Sequence, residues 1–131
     1  MRKHIHRWLQ ADKLFKTVAA FASAVVTYLS LKPPSPNAKP WTLFFFRGDL
    51  VLHFSCYFGL TFLYFFAFYI HKRSVLKAFL GALLLGGFLE TLQLIPFFQR
   101  FFDLSDLFAN LFGGLCATLI IKGFFYYSVK E

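Results

Sequence analysis

Four long apolar runs, at 14–31, 49–70, 75–97 and 106–127, take up most of this 131-residue chain. Each approaches the about 20 residues that a helix needs to cross a hydrocarbon core. Soluble domains carry about a quarter charged residues; here the share is 15%, with 58% apolar residues and 21 phenylalanines. The expectation is an all-α integral membrane protein, a compact four-transmembrane-helix domain over 14–127. A basic segment, 1–13, precedes it and lies on the membrane surface; a short tail, 128–131, follows.

The connections are punctuated. Pro33, Pro34, Pro36 and Pro40 forbid continuation of the first helix. The first run lacks a small-residue cleavage site and is expected to remain as a helix. Trp41 and Phe44 to Phe46 read as interfacial anchors. The second run ends at the basic corner His71-Lys72-Arg73, and Pro96 closes or kinks the third. Ala82-xxx-Gly86, Ala109-xxx-Gly113 and Gly113-xxx-Ala117 are spacings that let helices approach closely, within one chain or towards a second copy or protein partner. Cys56 and Cys116 fall inside apolar runs with no CxxC pattern and read as packing residues.

The net charge of +8 does not point to nucleic acid, because the cations flank apolar segments. They suit orientation and anionic lipid headgroups instead. Counting Lys and Arg on alternate sides of the four runs gives ten against four. The richer side carries both chain ends, so both termini are expected in the cytoplasm. Asp49, Glu90, Asp103 and Asp106 then all fall on the outer side. Ionisable groups within membrane segments cost about 2.5–3.5 kcal/mol on insertion scales and mark functional interiors.

Two stretches carry these groups. Asp49, His53 and Tyr57 recur every four residues and share one stripe of the second helix. Asp49 either orients His53 or opens the helix at its positive end. Between Glu90 and Asn110 lie Gln93, Arg100, Asp103 and Asp106. With the third helix running to residue 97, Glu90 sits about 12 Å below its end, so it is either paired with a cation such as Arg100 or His53, or protonated. Arg100 either pairs with Asp103 or offers its fork to a phosphate or carboxylate. Asp103 or Ser105 caps the fourth helix, and Asn110, one turn inside, needs a partner.

These residues carry a resemblance. Asp49, His53, Phe54 and Tyr57, then Glu90 and Gln93, then Pro96, then Arg100, Phe102, Asp103, Asp106, Ala109, Asn110 and Gly113 are similar to the VanZ-like family. Those are small bacterial membrane proteins named for a teicoplanin-resistance determinant. The likeness spans residues 31–117, and departs from the family where Leu50 replaces a frequent Lys and Ala117 a frequent Gly. It implies a multi-pass protein of the bacterial cytoplasmic membrane with a role in the cell envelope.

The leading expectation is an outer-leaflet polar pocket that binds or modifies the headgroup of a cell-envelope lipid or lipid-linked precursor. Its ligand-binding residues would be Asp49, His53, Tyr57, Glu90, Gln93, Arg100, Asp106 and Asn110. One alternative is a small intramembrane hydrolase or transferase, with His53, Glu90 and Asp106 as catalytic candidates. Another is a non-catalytic subunit of an envelope or export complex. No cofactor and no metal is expected. A hard divalent cation on Asp49, Glu90 and Asp106 is the lesser alternative, and a single His argues against zinc.

Overall fold

The computed structural model describes residues 12–33, 36–37, 39–68 and 73–124. The expected surface segment, the His71-Lys72 corner, the last residues of the second and fourth runs, and the tail lie outside the described residues. Four α-helices organise the rest: α1 (Asp12–Leu31), α2 (Gly48–Ala67), α3 (Ser74–Leu92) and α4 (Leu104–Phe124). All four are long and apolar enough to cross a membrane. A two-residue-strand hairpin, β1 (Thr42–Leu43) with β2 (Phe46–Arg47), links α1 to α2. A 3₁₀ turn at Pro96–Phe98 lies between α3 and α4.

Many large apolar side chains face outward, as in a membrane protein, and small residues sit at the closest helix contacts. Phe21, Tyr28, Leu84, Leu119 and Phe124 are exposed, while Ala78, Ala82, Gly86, Gly113 and Ala117 are buried. The three small-xxx-small spacings thus serve this chain's own close contacts. A Cβ built on Gly113 would lie 2.3 Å from the Phe54 carbonyl oxygen, so α2 and α4 touch backbone to backbone. Hydroxyls within the helices make little demand on their surroundings: Thr61, Thr91 and Thr118 each donate to the carbonyl four residues back.

α2 is the central helix. It has its largest interface with α4 and further ones with α1 and α3. α1 is peripheral, held to α2 through Val26 and by the hydrogen bond between Ser23 and Tyr64. The apolar cluster Phe65, Val75, Ala78 and Ile121 fills one end of the bundle. At the other end the C-termini of α1 and α3 meet the N-termini of α2 and α4, and there the interior turns polar.

Two boundaries differ from expectation. α3 stops at Leu92 rather than 97, because the chain tightens through the bonds Leu94 N–H to Thr91 O and Ile95 N–H to Leu92 O. Ile95 is then extended (ψ 123°), as a residue before proline is pushed to be. Pro96 therefore opens the 3₁₀ turn and neither closes nor kinks α3. Asp49 does not cap α2 with its side chain. It lies within the first turn, where the helix dipole favours it.

Candidate functional site

The shortened α3 changes the setting of Glu90. It sits in the last turn, two residues from the helix end, yet is only 2% exposed. Neighbouring protein, and not depth along the helix, buries it. Its Oε1 lies 3.9 Å from His53 Nδ1. On the opposite flank of the imidazole, Nε2 is 3.6 Å from Asp106 Oδ2. His53 Nδ1 is also 2.9 Å from Asn110 Oδ1. An amide oxygen only accepts, so Nδ1–H donates, and in the neutral ring the lone pair falls on Nε2. α2, α3 and α4 thus bring His53, Glu90, Asp106 and Asn110 to one point, as the helical spacing of each pair allows.

The cations are distributed otherwise than expected. Asp103 takes its ion pair from Arg47, not Arg100: Arg47 Nη2 lies 2.9 Å from Asp103 Oδ2. The same nitrogen is 3.1 Å from Asp49 Oδ2 and 3.9 Å from Asp106 Oδ1. β2 holds Arg47 there, one residue before α2 begins. Arg100 instead donates Nε–H to the Lys32 carbonyl at 2.8 Å and Nη2–H to that of Leu29 at 3.1 Å. These are C-terminal carbonyls of α1, which have no partner within the helix. Arg100 is thus neither the partner of Glu90 nor that of Asp103. Gln93 makes a similar tie, Nε2–H to the Ser30 carbonyl at 2.9 Å.

Asp103 does cap α4. Its Oδ1 accepts the Ser105 backbone N–H at 2.9 Å. The Arg47 hydrogen bond, then this cap, hold its carboxyl below the ordinary value of 3.8. A depressed folded-state value stabilises the fold above the unfolded value, and the benefit is lost as pH falls through the folded one. The wild type should therefore lose thermal stability through this group only below about pH 4. Asp103→Asn should flatten that acid limb and lower the neutral-pH melting temperature, both read by a melting series against pH.

Beside the cluster is a cavity of about 500 Å³. Val26, Leu29 and Leu52 supply apolar wall; His53, Tyr57, Gln93 and Asp106 supply polar floor; Lys32, Asp49 and Arg100 lie around it. Of the eight expected ligand-binding residues, two do not line this cavity. Glu90 and Asn110 both approach His53 but lie outside the lining. Six therefore line it directly. Tyr57 is packed against Gly86, where a Cβ would come within 3.0 Å of its ring. Arg47 is the residue that sequence reasoning missed. Its signal was present: one of four cations on the sparsely charged side, two positions before Asp49.

A family model described as VanZ/LLP1 matches residues 5–126, nearly the whole chain. No curated protein and no solved structure matches it. With four helices able to cross a membrane and the Asp49, His53, Glu90, Asp106 and Asn110 motif residues gathered at one end, the chain belongs to the VanZ-like family of multi-pass membrane proteins.

Proposed function

We propose that the cavity binds the polar headgroup of a cell-envelope lipid or lipid-linked precursor, with the site end of the bundle facing outward. The observation that carries this is one cavity of about 500 Å³ joining an apolar wall to a polar floor at the ends of membrane-length helices. An acyl or prenyl chain suits Leu29 and Leu52, and Lys32, with the guanidinium N–H groups that Arg100 does not give to the Leu29 and Lys32 carbonyls, suits a phosphate at the rim. The excess of Lys and Arg on the opposite side supports the orientation. Envelope homeostasis, including susceptibility to teicoplanin-type glycopeptides, is the cellular setting that family membership suggests.

Binding of a polyprenyl phosphate and of phosphatidylglycerol to purified protein, read by native mass spectrometry, tests this. Leu52→Trp fills the apolar wall without touching the polar cluster, and should weaken binding at least about tenfold, equivalent to 1.4 kcal/mol. Unchanged binding of both lipids by Leu52→Trp would sink the proposal. The hydrolase or transferase reading draws support from His53, an imidazole set between two carboxylates and 20% exposed. It requires turnover of a labelled lipid precursor that His53→Ala abolishes.

A further inference from the structure

In the neutral His53 ring Nε2 carries the lone pair, and Asp106 Oδ2 faces it at 3.6 Å. Glu90 approaches the same ring from α3. In that ring state two lone pairs, on Nε2 and Asp106 Oδ2, face each other with Glu90 on the Nδ1 side, an arrangement that a cation or a proton between them relieves. The surroundings leave the cluster under-compensated. Among the described residues, Glu90 Oε2, Asp106 Oδ1 and the amide nitrogen Asn110 Nδ2 are buried without any hydrogen-bond partner. The Glu90 side chain is 2% exposed and that of Asp106 12%. Arg47 is shared among Asp49, Asp103 and Asp106, and Arg100 is bound to backbone carbonyls.

We propose that His53, Glu90 and Asp106 form a binding site for a first-row divalent transition-metal ion. One ligand atom from each lies within 4.8 Å of the other two. Ligands at ~2.1 Å in a tetrahedral shell stand about 3.4 Å apart, so small side-chain rotations close the triad. The mixed set selects the class: imidazole disfavours Ca²⁺ and Mg²⁺, while one nitrogen with two carboxylates suits Mn²⁺ best, Zn²⁺ being the poorer match with a single His. Asn110 holds His53 Nδ1–H and so keeps Nε2 free to coordinate, which makes it a positioning residue. Three protein ligands leave coordination positions open, and His53 and Asp106 both border the cavity. Such an ion would meet the phosphate of a headgroup as a Lewis acid. The set differs from the all-oxygen one considered from sequence, because Asp49 is engaged by Arg47 and His53 takes its place.

The inference concerns the cavity to which headgroup binding is assigned, but its test contains no lipid and is read separately. Chelator-treated protein in detergent is titrated with Mn²⁺ and with Zn²⁺, using Ca²⁺ for comparison. Gel filtration and thermal melts establish that every variant is folded. The expected result is one equivalent of Mn²⁺ or Zn²⁺, with little Ca²⁺. Spin-echo modulation on the Mn²⁺ signal should show a single imidazole nitrogen, lost in His53→Gln. Glu90→Gln should weaken binding more than roughly 100-fold and Asn110→Ala roughly 10–100-fold. Folded wild type that binds neither ion in stoichiometric amount overturns the proposal and assigns the cluster to protons. Binding that survives both Glu90→Gln and His53→Gln also overturns it.

Discussion

Gly113→Ala is expected to destabilise the protein by about 1–3 kcal/mol, the usual cost of forcing atoms into a packed interface. Two effects compete. Alanine is the better helix former by about 1 kcal/mol, which alone would stabilise α4. Against it stands the Phe54 carbonyl, 2.3 Å from where the Cβ would be. That obstacle is backbone, so no rotamer change relieves it, and α2 and α4 must move apart. Gly113→Leu should prevent the two helices from docking at all. Gly123→Ala is the control: nothing lies within 4 Å of its Cβ position, and the change should be neutral or slightly stabilising. Thermal melts in detergent of the three variants measure the difference. Equal melting temperatures for Gly113→Ala and wild type would show that the α2–α4 contact is looser than described. Asn110 lies one turn before Gly113, so separating the helices also breaks its 2.9 Å bond to His53.

Arg100→Ala should loosen α1 selectively. Hydrogen bonds from a charged donor contribute about 1.5–3 kcal/mol when protected. These two are exposed, which places the expected loss below that range, at about 0.5–1.5 kcal/mol. Arg100→Lys keeps the charge but cannot reach two carbonyls with a planar fork, so it should fall between wild type and alanine. Hydrogen exchange gives the readout: protection should drop in α1, while the α2–α4 interface stays protected. A uniform drop along all four helices would refute the assignment of Arg100 as the clasp of α1. Because Val26 and Leu29 of α1, and Lys32 just beyond its end, line the cavity, a loosened α1 should also weaken headgroup binding.

Membrane helices, the stripe of Asp49, His53 and Tyr57, and the Asp103 cap were all legible in the chain. Each depends on near neighbours in sequence: apolar length, a spacing of four, or a carboxylate placed just before a helix. The end of α3 was less so, because a proline limits where a helix can run without saying how many turns before it the helix stops. That difference of one to two turns decides whether Glu90 is buried by membrane depth or by its neighbours.

Ion pairing was decided by tertiary structure alone. Arg47 and Arg100 are both cations on the sparsely charged side, and linear distance makes Arg100 the neighbour of Asp103. The hairpin swings Arg47 over the N-termini of α2 and α4 instead, and the 3₁₀ turn carries Arg100 to the carbonyls of α1. By itself, the sequence determined which polar groups exist and on which helical face each one stands. Their meeting around His53 is a property of three helices whose glycines allow close approach. Coulombic and coordination interactions act over a few ångströms in space, and only the folded bundle sets those distances.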